Sequence, residues 1–294
     1  VEKERILTMR PEIIISSVVV ALVFLPLLAW KWRIGVKMAV YGAVIIGAVS
    51  GFLVNWIDSA MPGLHMAALV VIELCFILVI SALIIASRFY RDPERYPSER
   101  EGVIMSPADG MVVYVNEIDK NSSLVSTKGK RKYPLTELTN TDLLKNAHYL
   151  VGIDMNIFNV HVNRSPIKGK IVLCKRTKGK FISLRCEESP VVNERVTTVI
   201  SNGKFKVGVV QISSRLVRKI LSYIKEGEKL DIGQRLGAIV FGSQVDTIIP
   251  ELDDLRIEVK PGDELKAGIS VIARFRHEKS GLESSHEESN DQTA

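Results

Sequence analysis

Cysteine is scarce. The three residues Cys75, Cys174 and Cys186 show no CxxC spacing, which makes a reduced, intracellular protein the expectation and leaves a Cys174–Cys186 bridge open. Histidine is as thinly spread. His148 and His161 stand 13 apart, His65 lies at the edge of an apolar run, and His277 and His286 border the C-terminal tail. No HxH or similar cluster exists to hold zinc, so a zinc peptidase lacks its ligands and no metal is expected. Acid is missing from one stretch: between Arg164 and Arg185 there are eight basic residues and no Asp or Glu. That stretch also lacks a series of stacking aromatics, so a net charge of +6 and a pI near 9.1 do not make a nucleic-acid binder. A solvated basic face and contact with anionic head groups both fit it, and a membrane surface favours the second.

Charge itself is absent from long runs near the N-terminus. Ile13–Trp30 and Met38–Ile57 contain none, and a third run from about Leu64 to Ala86 carries one acid, Glu73. Each approaches the ~20 residues that cross a ~30 Å hydrocarbon core. No small-residue cleavage site follows the first run, and a removable leader would explain only that one. Trp30, Trp32 and Trp56 fall at run ends, where interfacial aromatics collect. Three membrane spans are therefore expected within residues 1–88. Lys3, Arg5 and Arg10 flank one side, whereas Lys31, Arg33, Lys37, Arg88, Arg91, Arg95 and Arg100 flank the other. The richer side is expected to be cytoplasmic, with the C-terminal portion on it. Glu73 either marks a function or pairs with a neighbouring helix.

After the charged exit FYRDPERYPSER, short alternating runs predict a strand-rich, mainly β (α+β) domain over residues 89–277, and residues 278–294 read as a disordered tail. Strands are expected at 111–115, 149–153, 170–174, 196–200, 206–212, 236–241, 246–249 and 270–275. A helix is expected from Ser213 to Tyr223, with Leu216, Val217, Ile220, Leu221 and Ile224 on one face. Two segments, 226–233 and 261–268, share the pattern x-G-[DE]-x-L-x-x-G, offset by 35 residues. Gly supplies the turn and Leu anchors it, as in the paired hairpins of barrel-sandwich-hybrid domains.

Three places could carry chemistry. Gly242-Ser243 interrupts an apolar strand, as a bulge would. It could equally be a bond whose serine hydroxyl attacks the preceding carbonyl, since Gly leaves that approach open. Asp109 lies in Ser106-Pro-Ala-Asp-Gly110, a turn by composition. His161 lies between two valines, as a core histidine would, yet Asn156, Asn159, Asn163 and Arg164 surround it. A His with an Asp partner is what Ser243 would need to lose its proton.

Taken together, FYRDPER (89–95), SPADG (106–110), FNVHVNRSPIKGKI (158–171), NER (193–195) and FGSQVD (241–246) closely resemble the pyruvoyl-dependent phosphatidylserine decarboxylases, in the short class with an FGS cleavage site. The resemblance spans about residues 88–276. It implies self-cleavage between Gly242 and Ser243, giving a β chain of residues 1–242 and an α chain of 52 residues whose Ser243 becomes a pyruvoyl group. It implies an Asp109–His161–Ser243 constellation, a serine phospholipid substrate (diacyl or archaeal ether) held near Asn163 and Arg164, and a homo-oligomer at the membrane. Longer members carry an additional His where this chain has Phe158, so that residue's role is not carried over. The rival reading is a non-enzymatic membrane-anchored hairpin adaptor, in which the chain stays whole.

Overall fold

The computed structural model describes residues 9–31, 35–119, 123–127, 129, 131–214, 219–240 and 243–276. The apolar runs form α1 (Pro11–Lys31), α2 (Val36–Ala60) and α3 (Met66–Phe89), each long and apolar enough to cross a membrane. A helix satisfies its interior backbone N–H and C=O groups within itself, which such runs need away from water. α1 and α2 touch where α2 is small: a Cβ on Gly47 would stand 2.6 Å from the Val18 Cα, and one on Gly51 2.7 Å from the Ile14 Cα. Glu73 is buried and accepts the Ser16 hydroxyl at 3.0 Å, so it pairs with a neighbouring helix. Val23, Leu27, Ile45 and Leu83 are exposed on the outside of the bundle, a surface suited to hydrocarbon.

Beyond α3 the chain is mainly β. In order come β1 (Val103–Met105), β2 (Gly110–Glu117), β3 (Leu124–Ser126), β4 (Lys132–Pro134), α4 (Leu135–Thr139), β5 (Ala147–Met155), β6 (Val162–Arg164), β7 (Gly169–Thr177) and α5 (Ser189–Val192). Then follow β8 (Arg195–Ser201), β9 (Lys206–Ile212), β10 (Ile220–Ser222), β11 (Lys229–Leu230), β12 (Arg235–Ile239), β13 (Ser243–Pro250), β14 (Arg256–Ile257), β15 (Glu264–Leu265) and β16 (Val271–Arg274). Eight strands make one antiparallel sheet, β11-β7-β8-β9-β13-β5-β2-β15, curled into a half-barrel. Side chains alternate across it. Val151, Ile153, Val209, Val245 and Ile249 face one core, covered by the small sheets β1-β16-β14 and β6-β12-β10. Leu150, Val210 and Ile248 face a second core, covered by α4, α5 and the β3–β4 hairpin.

The repeated Gly-Leu segments belong to two matching halves. Leu230 pairs with Gly169 at one end of the large sheet and Leu265 pairs with Gly110 at the other. Around them the hydrogen bonds repeat. The Met105 N–H donates to Pro166 O and the Arg164 N–H to Pro107 O, both at 2.9 Å. The Gly268 N–H donates to Ser106 O and the Gly233 N–H to Ser165 O, both at 2.8 Å. Ser106 and Ser165 each turn a hydroxyl onto the carbonyl two residues on, at 2.7 Å. So Ser106-Pro-Ala-Asp-Gly110 and Ser165-Pro-Ile-Lys-Gly169 are the same turn used twice.

Two expectations change. The helix over 213–223 is not formed: Ile220–Ser222 is a strand paired with Gly237–Ile239, and residues 215–218 lie outside the described residues. Its i, i+4 apolar pair, Ile220 and Ile224, is also an i, i+4 pair of one strand face, and cross-strand pairing decided between the two. Around the break expected at 242–244 the bounds shift: β12 ends at Ile239, and Ser243 and Gln244 already belong to β13. Phe241, Gly242 and the tail from 277 lie outside the described residues. All three cysteines are free thiols.

Candidate active site

Ser243 is the first residue of β13, opposite Met155 of β5, and it is fully buried. Its hydroxyl donates to the Met155 Sδ at 3.2 Å. A thioether is a weak acceptor, so the Ser243 proton is not committed to a strong partner.

His161 lies just before β6, after a turn built by two of the asparagines that crowd this segment. The Asn156 Oδ1 accepts the Phe158 N–H at 2.8 Å, and the Asn159 Oδ1 accepts the Asn156 N–H at 2.7 Å. The His161 carbonyl accepts the Ile239 N–H at 3.1 Å, which ties it to the strand that runs on to Ser243. Its Nδ1 stands 2.9 Å from the Asn159 carbonyl oxygen. A carbonyl can only accept, so Nδ1 carries the hydrogen and Nε2 carries the lone pair. That Nε2 is buried and has no hydrogen-bond partner among the described residues. Burial pushes the ring's pKa down to about 4, only partly opposed by the Asn159 hydrogen bond and the charge of Asp109. The imidazole is therefore neutral at pH 7 and able to accept a proton.

Asp109 closes the turn before β2. Arg95 grips both of its carboxylate oxygens, one at 2.9 Å. The Ala267 N–H donates to it at 2.8 Å and the Val160 N–H at 3.3 Å. Among the described contacts it orients His161 at one remove, through the amide of the preceding residue, and not by a bond to the ring. Asn163 is fully buried in the same hollow: its Nδ2 donates to Pro107 O at 3.3 Å and its Oδ1 accepts from Gln211 at 2.8 Å. Arg164 is used differently from the expected head-group contact. It is buried, and its terminal nitrogens donate to Gly233 O, Asp92 and Pro93 O at 2.9–3.1 Å. A guanidinium so engaged is a buttress between segments.

A family model described as phosphatidylserine decarboxylase matches residues 83–273, nearly two thirds of the chain. The chain belongs to the phosphatidylserine decarboxylase family. It is similar to a protein of Methanocaldococcus jannaschii named as an archaetidylserine decarboxylase proenzyme, 39% identical over 67% of this chain and 93% of that one. A protein of the same name from Methanothermobacter thermautotrophicus is 36% identical over 68% of this chain and 84% of its own length. The protein is thus a decarboxylase of the phosphatidylserine type, and the non-enzymatic adaptor reading is set aside. The family match starts inside α3, so α1, α2 and most of α3 lie outside it.

Several residues of the decarboxylase site were read only as membrane exit or as motif. Phe89, the last residue of α3, lies against the His161 ring with centroids 4.1 Å apart. Arg91 donates to Phe158 O at 2.8 Å, Asp92 accepts from Arg164 and Arg235, and Arg95 holds Asp109. The mixed charges of FYRDPER were the available signal: an arginine three residues from an aspartate on a mere linker has no need of buried partners. Gln244 and Asp246 of the FGSQVD motif alternate away from Ser243. Both bond to the buried Tyr114 on the other face of the sheet, at 2.7 Å each. Burial and the Asp246 charge hold the Tyr114 hydroxyl well above its usual pKa, so it stays a donor. The NER motif is also a brace, with Arg195 donating to the carbonyls of Glu137, Leu138, Val191 and Asn193.

Proposed function

We propose that this decarboxylase makes its own catalytic group by cutting the Gly242–Ser243 bond, and then converts a serine phospholipid to the ethanolamine lipid and carbon dioxide. The observation that carries the reading is the His161 Nε2, a neutral, buried and unpartnered base on a segment bonded to the strand before Ser243. In the self-processing step the Ser243 Oγ bonds to the Gly242 carbonyl carbon and its proton passes to His161. The Ser243 nitrogen leaves that carbon as an amine, so an amide becomes an ester. Loss of the Ser243 α-proton then expels the Gly242 carboxylate. Addition of water with loss of ammonia leaves a pyruvoyl cap on residues 243–294.

The weakly held Ser243 hydroxyl and its full burial suit this attack. When present, the pyruvoyl carbonyl supplies the electron sink for release of carbon dioxide. Asp109 keeps the His161 segment in place through Val160, and Asn163 offers a buried amide beside Ser243's partner Met155. His161 can hold or return a proton at Nε2. The names of the relatives, which include the word proenzyme and an archaeal serine lipid, support both halves of the proposal. The substrate is an anionic serine phospholipid, diacyl or archaeal ether, drawn from the membrane in which α1–α3 are anchored as three spans, with the β domain on the cytoplasmic side. The α and β chains stay together across β13, whose eight residues pair with β5 on one side and whose Gln244–Ile248 pair with β9 on the other. The working form is a homo-oligomer.

Mass measurement of the chain expressed in membranes, beside Ser243→Ala, tests this. Two fragments meeting at Gly242/Ser243, the smaller without a free amino terminus, are expected, with Ser243→Ala intact. A whole 32.7 kDa wild-type chain that is folded would sink the self-processing reading.

A further inference from the structure

The residues that leave α3 touch the His161 ring and its turn, the start of β12 and Asp109. Phe89 is buried against the His161 ring, and Tyr90 caps the helix. Arg91 holds the carbonyl of Phe158, in the turn that carries His161. Asp92 and Glu94 both hold Arg235, at the start of the strand that leads to Ser243, at 2.5 and 2.6 Å. Arg95 binds both oxygens of Asp109 and, at 2.9 Å, the Ala267 carbonyl. A linker that only tethered a domain to a helix would leave these groups in water.

We infer that the strap from Phe89 to Arg95 is a positioning element of the self-processing reaction, with Phe89 holding and drying the His161 imidazole and Arg95 holding Asp109. This rests on the proposed function above. The strap is continuous with α3, so the seating of that helix and the competence of the site become one mechanical unit. The physical reason is local. The Phe89 ring covers one face of the imidazole, and an apolar cover disfavours the charged ring. The charged groups around His161 are Asp109, from the turn before β2, and Arg95 and Arg91, from the strap. Asp109 favours a charged imidazolium, and burial of the ring outweighs it. Without Phe89, water reaches the ring and its basicity returns toward that of free histidine.

The test uses the full chain, synthesised into lipid vesicles, with loss of the 32.7 kDa precursor timed from pH 5 to pH 8. The wild type is expected to process at a rate that varies little over this range. Phe89→Ala is expected to process within about threefold of wild type at pH 8 and roughly ten- to thirtyfold more slowly at pH 5, as a histidine of ordinary pKa near 6.5 would. Phe89→Leu, which keeps an apolar cover, is expected to restore the flat profile. A Phe89→Ala profile as flat as wild type, with Ser243→Ala still uncut, would overturn the strap's role and leave self-processing standing. A loss equal at every pH and shared by Phe89→Leu would show a merely structural residue and also overturn it. A wild-type chain that never cuts would instead remove the underlying reading.

Discussion

The two halves of the β domain share one turn, and the candidate site takes a different residue from each. Asp109 and Lys168 occupy the same place in Ser106–Gly110 and Ser165–Gly169. Asp109 is buried, gripped by Arg95 and by two backbone amides. Lys168 is exposed and meets Asp231 at 3.4 Å in water. Two residues before each turn, β1 places Ile104 in the apolar core where β6 places Asn163 beside Met155 and Gln211. The scaffold is therefore indifferent to the chemistry. What separates the two turns is that Arg95 of the strap meets Asp109, whereas Lys168 is left in water, since a charge survives burial only where partners arrive to meet it. Function here is grafted onto a duplicated frame.

That contrast can be broken most sharply at its centre. Asp109→Ala strands Arg95 without its carboxylate and is expected to cost about 3–5 kcal/mol, as breaking a buried pair does, and to stop self-cleavage. Lys168→Ala should change stability by no more than about 0.5 kcal/mol and leave cleavage intact. Protease resistance for folding and fragment mass for cleavage would read both. Equal effects at the two positions would mean that the halves are not differentiated as described.

A second difference is titratable. His161 precedes β6, whereas its counterpart before β1 is Gly102. The folded-state pKa of His161 lies near 4, below the unfolded value near 6.5, so the unfolded chain binds the extra proton first. Its contribution is whole above pH 6.5 and is lost as pH falls toward 4, roughly 3 kcal/mol in total. Denaturant unfolding of the uncut Ser243→Ala chain should show this loss, and His161→Phe in that background should flatten it.

The features common to both halves should respond alike. A Cβ on Gly110 would stand 2.3 Å from Asp154 O, and one on Gly169 2.5 Å from Ser201 O, both rigid backbone. Alanine at either is expected to cost about 1–3 kcal/mol, with Gly110 the worse because its φ is +148°. The smallest effect is expected at Gly233 and Gly268, which lie back to back with φ of +79° and +70°. Left-handed strain should cost about 1 kcal/mol at each, with a further clash at Gly233, whose Cβ would stand 2.7 Å from the Pro97 Cγ. Matched thermal shifts within each pair would support the duplication, and a shift confined to one half would count against it.

The sequence carried more of this than the fold's irregular strands suggest. The longer strands of the large sheet were legible because alternation shows directly in their residues, as at Lys206–Ile212. Strands of two or three residues, such as β6, β10 and β14, were not, since so short a run has no period to read. Ser243, His161 and Asp109 were legible as residue types within motifs. Phe89, Arg91 and Arg95 were not, because a charged stretch beside an apolar run looks the same whether it is solvated or folded back.

By itself, then, the sequence determined the three apolar helices, the repeated Gly-Leu turns and the chemical identity of the site residues. These follow from local composition and short periods, which any fold must respect. Only the tertiary structure decided that Asp109 answers to Arg95, that Arg164 is a buttress, that Gln244 and Asp246 turn away from Ser243, and that α3 ends on His161. Each of these is a contact between residues far apart in the chain. Such contacts are settled by which surfaces exclude water together, and no window of sequence contains both sides of them.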